Sequence, residues 1–208
     1  MNVLSIDFDI IMAPDIELYN HFVDDQNTIQ NLTEGYPILN YSRADLNHYV
    51  KLVHLILNAT KDLGIEDIRV ALSHEDIKNV LNDCHDVKVF NIDHHHDCGY
   101  VPREKDKPND CSCANWVRFF MDKDIIKECV WLKNSNSTKI PEESEFQFDD
   151  KLIEMNLHEV DNLISKIGKV DKLFLCLSPE WVPELYWPLF YLLLDLVNQQ
   201  KECHLEVH

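Results

Sequence analysis

Short segments that are apolar almost throughout alternate along this chain with segments whose apolar residues recur at helical spacing. The apolar segments lie at residues 3–7, 68–72, 87–92, 125–132 and 173–177. The helical pattern falls at residues 46–63, 75–82, 114–121, 158–167 and 184–199. Strands that are apolar on both faces are typical of a parallel sheet with helices on each side. We therefore predict the α/β class, with a three-layer α/β/α fold around a mainly parallel sheet.

The length of the chain suits one such fold. Its 208 residues are 45% hydrophobic, which is enough for one sizeable core and not clearly enough for two. We predict a single domain over residues 1–208. Residues 13–42, which include Pro14 and Gly35, are predicted to form a long loop, and residues 133–151 an exposed insertion.

The sequence carries no pattern typical of export or of membrane insertion. Residues Met1–Ile10 contain no basic side chain, unlike the start of a signal peptide. The nearest approach to a spanning segment, Leu185–Val197, is interrupted by Pro188 and Asp195 and is shorter than the roughly 18 apolar residues that such a helix needs. We expect a cytoplasmic protein without a membrane partner.

The seven cysteines are an odd number and follow no regular spacing. In a cytosolic protein such residues are expected to be free thiols. Cys111 and Cys113 form one half of a zinc-binding pattern, but a structural zinc site takes four ligands and no second pair accompanies them. We interpret the pair as part of a loop or of a helix start.

The chain is strongly acidic, with a formal net charge of −18 at pH 7. Proteins that bind nucleic acid present a basic surface to phosphate, so we expect no nucleic-acid partner. A cationic small molecule, or a peptide that contains arginine or lysine, fits an acidic surface better. The alternative is that the acidic surface serves solubility, which is its commonest role.

Acidic and histidine side chains follow three of the predicted strands at the point where each strand ends. Asp7 and Asp9 follow the first strand, His74 follows the second, and the run Asp93–Asp97 (DHHHD) follows the third. The carboxyl ends of parallel strands meet at one edge of a sheet, where ligands bind. Alternate residues at a strand end project to the same side, so D-x-D and D-x-H-x-D direct their side chains to one point.

This convergence predicts a metal centre, because crowded carboxylates repel one another unless they are protonated or bound to metal. A strand-end D-x-D alone is more often a cap or a solvated turn, so the DHHHD run carries the prediction. Aspartate and histidine without thiolate suit Mn²⁺, or Fe or Co, better than a structural zinc. We expect two Mn²⁺ ions, or another divalent metal, about 3.5–4 Å apart and able to activate water. The predicted metal ligands are Asp7, Asp9, His74, Asp93, His95 and Asp97.

Three segments resemble the metal-binding motifs of the arginase and ureohydrolase superfamily: Asp93–Asp97 (DHHHD), Leu72–Glu75 (LSHE) and Ser5–Asp9 (SIDFD). In that family the D-x-D strand comes late in the chain, and here it comes first, so the resemblance is to a permuted arginase core. Cys113–Val117 (CANWV), Leu177–Pro183 (LSPEWVP) and the short length are most similar to the peptide arginases. The resemblance implies a manganese enzyme that converts arginine side chains of a ribosomally made precursor peptide to ornithine and releases urea.

The resemblance also implies roles for the predicted ligands. Asp93 and Asp7 would bridge two metal ions, with one site completed by His74 and Asp97 and the other by His95 and Asp9.

Further residues are predicted to act on the substrate. The leaving amine needs a proton from a nearby acid, and His96, with His94 as the alternative, is the predicted catalytic donor. Glu180, at another predicted strand end, is predicted to act in catalysis by binding the guanidinium through a bidentate pair. Asn115 and Trp116 are predicted to bind substrate, and the alternative is that they start a helix and fill the core.

The strongest alternative is a manganese phosphoesterase of the DHH family, whose strand-end motif matches Asp93, His94 and His95. Against it, residues Val3–Ile6 lack the histidine that usually comes before the acids of that family's first motif, and no Gly- and His-rich substrate-binding domain follows. The net charge of −18 also opposes a phosphate-binding surface. A ureohydrolase of a free guanidino compound, and a metal-binding or partner-binding domain without catalysis, are further alternatives.

Overall fold

The structure is a computed structural model that describes residues 1–13, 43–99, 110–134, 137, 151–157, 165 and 167–205. Three predicted segments lie almost entirely outside the described residues: the loop at 13–42, the insertion at 133–151 and the helix at 158–167.

A six-stranded sheet forms the centre of the fold, and each of its described pairings is parallel. The strands, numbered in chain order, are β1 (Asn2–Asp7), β4 (Ile68–Ala71), β5 (Val87–Ile92), β6 (Ile126–Lys133), β7 (Leu152–Asn156) and β8 (Lys172–Cys176). Their order across the sheet is β4-β8-β1-β5-β6-β7. A separate antiparallel ladder pairs β2 (Met12–Ala13) with β3 (Arg43–Ala44). The prediction of a mainly parallel sheet is confirmed.

Helices connect and cover the strands. The α-helices are α1 (Leu46–Thr60), α2 (Lys78–Leu81), α3 (Trp116–Asp122) and α4 (Trp187–Leu205). Shorter 3₁₀ segments lie at Phe8–Ile11, Ile65–Asp67, His74–Ile77 and Glu184–Tyr186. None of the helices in the described ranges is long and apolar enough to cross a membrane.

The start of α1 shows how local chemistry sets an element boundary. The Asp45 carboxylate accepts hydrogen bonds from the backbone N–H groups of Asn47 at 2.9 Å and of His48 at 3.2 Å. These N–H groups have no partner within a helix, so a side-chain acceptor at this position stabilises the first turn.

Successive residues of the central strands point to opposite faces of the sheet. Leu4, Ile6 and Ile92 belong to the larger hydrophobic core, which α1 and α4 cover, whereas Val3 and Val89 belong to the smaller core, which α2 and α3 cover. This division follows from the two-residue period of a strand. Helices on both faces give the three layers that the apolar strands predict.

Strand β7 is absent from the predicted strands. Its sequence, LIEMN, contains Glu154 and Asn156, and at the edge of the sheet it pairs with β6 alone. An edge strand is not buried on all sides, so it lacks the continuous apolar run by which the inner strands are recognised.

Candidate metal centre

The topology brings the ends of β1 and β5 together. These neighbouring parallel strands place Ile6 opposite Ile92, so the residues that follow them, Asp7 and Asp93, reach the same edge of the sheet at the same level. His74 follows β4, which β8 separates from β1, and its side chain reaches the same place across the end of β8. The candidate ligands therefore meet at the carboxyl edge of the sheet, where the sequence predicts them.

Two overlapping groups of side chains can each hold a metal ion. One consists of Asp7, His74 and Asp93, and the other of Asp9, Asp93 and His95. Within each group the donor atoms lie within 4.8 Å of one another. Asp93 belongs to both groups, so a single buried carboxylate joins the two.

The first group surrounds the His74 ring. The Nδ1 atom of His74 lies 3.3 Å from an oxygen of Asp7 and 3.1 Å from oxygens of both Asp93 and Asp97. His74 is only 2% exposed, and among the described residues its Nδ1 atom has no hydrogen-bond partner of acceptable geometry. A buried nitrogen that faces three carboxylates without a satisfactory hydrogen bond fits the position of a metal ligand.

The second group lies on the other side of Asp93. The Nδ1 atom of His95 is 3.1 Å from an oxygen of Asp9 and 3.6 Å from an oxygen of Asp93. The backbone N–H of His95 also donates to Asp93 Oδ1 at 2.7 Å, and that of His94 donates to Asp9 Oδ1 at 3.3 Å. These backbone donors orient the carboxylates toward the imidazole.

Two buried hydroxyl groups hold the ligands of the first group. Ser5 Oγ lies 2.7 Å from His74 Nε2, which leaves the Nδ1 atom facing the carboxylates. Ser178 Oγ donates to Asp7 Oδ2 at 2.6 Å. Contacts of this kind orient a metal ligand, and their loss typically costs about 10- to 100-fold in metal affinity.

Aromatic residues of the smaller core support His74 from behind. The ring of Phe174 stacks on it, with centroids 5.6 Å apart and an interplanar angle of 7°, and the ring of Trp116 lies 5.0 Å away. Trp116 also donates from Nε1 to Asp97 Oδ2 at 2.6 Å. One indole therefore contacts two of the predicted ligands.

The buried charges are balanced by protons in the absence of metal. Burial alone would lower the pKa values of His74 and His95, but the carboxylates that face them raise both pKa values well above the usual range. The same imidazoles outweigh the effect of burial on Asp93 and hold its pKa well below the usual range. Burial and neighbouring carboxylates raise the pKa of Asp9 to about 6 and that of Asp97 well above its usual value. The site therefore favours bound cations, and protons supply that charge when no metal does.

His96 and His94, both in the run Asp93–Asp97, have different surroundings. Buried His96 accepts a hydrogen bond at Nδ1 from the backbone N–H of Cys98 at 3.1 Å, and its ring packs edge-on against Trp131. Burial lowers the pKa of His96 to about 4, so its imidazole is neutral near neutral pH, and burial also lowers the pKa of His94. The donor role of either histidine stays a prediction. His94 is half-buried, and its ring centroid lies 5.1 Å from that of His95.

The two residues predicted to bind substrate from the start of α3 are both engaged within the protein. Asn115 accepts a hydrogen bond from the backbone N–H of Ser112 at 2.8 Å and donates to the backbone oxygen of Asp110 at 3.1 Å. Trp116 is fully buried, and its contacts are with candidate ligands rather than with solvent. Substrate binding by either residue stays a prediction.

Glu180 is exposed, on the loop that follows β8. Its carboxylate acts on the thiol of Cys113, whose pKa is raised by desolvation and further by the charges of Asp97 and Glu180. The role of Glu180 in binding a guanidinium stays a prediction.

Several residues that contact the candidate ligands are missing from the predicted site. Ser5 is a buried polar residue within β1, and Ser178 is a buried polar residue two positions after β8. A polar residue in or next to an apolar strand is a signal that sequence reasoning can use. Trp181 also contacts a candidate ligand and is missing from the predicted site. Its ring centroid lies 5.2 Å from that of His95, although 86 positions separate the two residues in the chain. No sequence pattern indicates this contact, because only the sheet topology creates it.

Comparisons with protein-family models, with curated proteins and with solved structures found no match for this chain. The resemblance to ureohydrolases therefore rests on the motifs, and the case for a function rests on the geometry of the cluster.

Proposed function

We propose that this protein is a dinuclear manganese hydrolase of the ureohydrolase type, which acts on arginine side chains within a peptide. The observation that carries the proposal is the sharing of Asp93 between two groups of metal-ligating side chains. A carboxylate held between two sets of donors is the arrangement that a two-metal hydrolase requires.

The donor set favours manganese. The six candidate ligands are four carboxylates and two imidazoles, and none is a thiolate. Such ligands suit Mn²⁺, or Fe or Co, better than a structural zinc. Asp7, His74, Asp93 and Asp97 would hold one ion, and Asp9, Asp93 and His95 the other. Bridging by Asp7 stays a prediction, because Asp7 belongs only to the first group, and Asp97 is assigned to the first ion because it lies 3.1 Å from His74. Two bound divalent ions would supply Lewis acidity and would make water a nucleophile near neutral pH.

The reaction adds water across one bond of the substrate. Water attacks the guanidinium carbon, the bond from that carbon to Nε breaks, and urea leaves while ornithine remains in the peptide. The departing amine must gain a proton. We assign the proton transfer to His94 in preference to His96, because the His94 ring lies beside His95 and its backbone N–H donates to Asp9. Glu180 would bind the guanidinium.

Arginine within a peptide is favoured over free arginine by the residues that follow the DHHHD run. Enzymes of free arginine need polar groups for the α-amino and α-carboxylate ends, and the ureohydrolase family places several of them there. Here the run continues with Cys98-Gly99-Tyr100-Val101-Pro102, and Cys98 is buried. The net charge of −18 attracts a cationic peptide.

Metal content and urea release test the proposal together. After reconstitution with manganese, elemental analysis should approach two equivalents per chain, and urea should form faster from arginine-containing peptides than from free arginine at equal concentration. Asp93→Asn should lose both ions and the activity, whereas Asp122→Asn, the same change at an exposed position, should lose neither. Tight retention of one ion in Asp93→Asn would contradict the shared ligand. Faster turnover of free arginine than of every peptide would contradict the peptide substrate but would still agree with a ureohydrolase.

A phosphoesterase is the second candidate, because Asp93, His94 and His95 follow β5 as a DHH motif and Asp7 and Asp9 lie beside them. Hydrolysis of a phosphodiester to a phosphomonoester and an alcohol, without urea from any guanidino compound, would replace the first proposal with this one.

A further inference from the structure

Trp181 stands out among the tryptophans because it is exposed beside a candidate ligand. It is 44% exposed, whereas Trp116 and Trp131, the two tryptophans that bond to the run Asp93–Asp97, are 0% exposed. Its ring centroid lies 5.2 Å from that of His95, with an interplanar angle of 50°. The rest of the residue is buried, so the exposed part is the aromatic surface that a ligand can contact beside His95.

The loop that carries Trp181 is tied to the cluster. Ser178 has a φ of 49°, a left-handed conformation that costs free energy outside glycine, and its hydroxyl donates to Asp7 at 2.6 Å. The backbone N–H groups of Trp181 and Val182 both donate to the oxygen of Ser178, at 2.9 and 3.0 Å. Val182 is fully buried. Both ends of this turn are therefore fixed, and the indole is held in place next to the candidate metal ligands.

We infer that Trp181 is an aromatic platform for a planar cationic side chain, and that it positions the guanidinium of the substrate at the metal centre. This inference deepens the proposed function and rests on it for the identity of the cation. The face of an indole carries negative electrostatic potential and binds arginine through a cation–π contact. Glu180 precedes Trp181 in the chain and is also exposed, so the same loop carries a carboxylate and an aromatic ring.

Charge and planarity can be separated experimentally. Acetyl-arginine amide is planar and cationic at its side-chain end, acetyl-citrulline amide is planar and neutral, and acetyl-lysine amide is cationic without a plane. Each is titrated into wild-type protein, Trp181→Phe and Trp181→Leu. Tyr191→Leu is the matched control: Tyr191 is 51% exposed, and its ring packs beside Phe190.

Two readouts are used. The first is the affinity for each probe by isothermal titration calorimetry, on protein stripped of metal so that no turnover occurs. The second is KM and kcat for acetyl-arginine amide on manganese-loaded protein. Trp181→Leu should weaken binding and raise KM about tenfold, as expected for loss of a cation–π contact, with Trp181→Phe in between. Its kcat should change less than about twofold, because the lost contact is with the bound substrate. Tyr191→Leu should match wild type in both readouts.

Three outcomes would overturn the inference: unchanged arginine binding in Trp181→Leu, equal affinity of wild type for the arginine and citrulline probes, or a loss of manganese affinity in Trp181→Leu that matches its loss of arginine affinity. The last would mean that the indole only shields His95. If neither wild type nor any variant releases urea, but wild type still binds the arginine probe more tightly than the citrulline and lysine probes, then Trp181 binds a planar cation and the proposed reaction is wrong.

Discussion

The two faces of the sheet carry cores of different size and stand in different relations to the cluster. On the face covered by α1 and α4, Phe8 packs edge-on against Tyr49 and Phe190, at centroid distances of 6.2 and 5.2 Å. On the face covered by α2 and α3, Trp116 and Phe174 pack directly on His74, and Trp116 donates a hydrogen bond to Asp97.

This difference separates two kinds of side chain that a burial value alone does not distinguish. Leu52 of α1 and Trp116 of α3 are both fully buried. The first contributes transfer free energy to folding, and the second also holds a candidate ligand in place. Substitutions on the α1–α4 face should therefore change stability, and those that remove polar contacts on the α2–α3 face should change metal affinity.

The largest effect is expected for Leu52→Ala. Removal of this buried side chain should lower the free energy of unfolding of the metal-free protein by about 2–5 kcal/mol. Urea denaturation measures the loss, and manganese affinity of the folded fraction should equal that of wild type. Leu46→Ala, at a position 60% exposed on the same helix, is the control and should change stability by no more than about 0.5 kcal/mol. A large loss of manganese affinity in Leu52→Ala would break the separation of the two faces.

Trp116→Phe should change manganese affinity rather than stability. It removes the hydrogen bond to Asp97 Oδ2 while keeping an aromatic ring, so manganese affinity should fall by about 10- to 100-fold. Isothermal titration calorimetry measures this change. Phe120→Leu, a buried substitution on the same face that removes no hydrogen bond to a predicted ligand, should leave the affinity nearly unchanged. Equal losses in both variants would show that packing, and not the hydrogen bond, supports Asp97.

Manganese affinity should rise with pH. The raised pKa values of His74 and His95, caused by the facing carboxylates, keep both imidazoles protonated at neutral pH without metal, and Asp9 has a pKa of about 6. Ligands must lose these protons before they bind, so affinity should increase about tenfold per pH unit for each proton released, and the increase should end above the raised pKa values. Calorimetry in buffers of different ionisation enthalpy counts the protons. An affinity that stays flat between about pH 6 and about pH 8 would contradict proton storage at the cluster.

The smallest effect is expected at the start of α1. Asp45→Ala should cost about 1 kcal/mol, and Asp45→Asn, which keeps an acceptor, should cost less. Hydrogen bonds from the backbone of His48 and Asn47 lower the pKa of Asp45, although partial burial alone would raise it. A depressed pKa stabilises the fold above the unfolded value, and this stability is lost as pH falls through the folded value. Wild type and Asp45→Ala should therefore converge in stability in acid, and a constant difference would show that the charge is irrelevant.

The parts of the fold that were predictable are those with a local signal. The apolar run Val87–Ile92 matches β5 residue for residue, and the acids that follow it reach the edge of the sheet as predicted. The helix at 75–82 begins instead as a 3₁₀ turn at His74, because the Ser73 hydroxyl accepts a hydrogen bond from the backbone N–H of Glu75. Local propensity does not distinguish these two kinds of turn reliably.

The parts that were not predictable depend on which strands become neighbours. The position of Trp181 beside the cluster follows from the strand order β4-β8-β1-β5, and no local pattern encodes that order. The same holds for the surroundings of His96, the predicted proton donor, whose ring packs against Trp131. Alternation along a strand end indicates a side, and only tertiary packing shows what that side contacts.

The insertion of β8 between β4 and β1 has a consequence for the biosynthesis of the protein. All six candidate ligands lie within the first 97 residues, but the strand that separates His74 from Asp7 at the right distance spans Lys172–Cys176. A nascent chain on the ribosome carries every candidate ligand long before β8 is synthesised. The group of Asp7, His74 and Asp93 cannot be assembled until then. Pairings between such distant segments form late in folding. A metal ion held by Asp7, His74 and Asp93 would therefore be bound only after β8 has entered the sheet, whereas Asp9, Asp93 and His95 follow β1 and β5, which pair without β8.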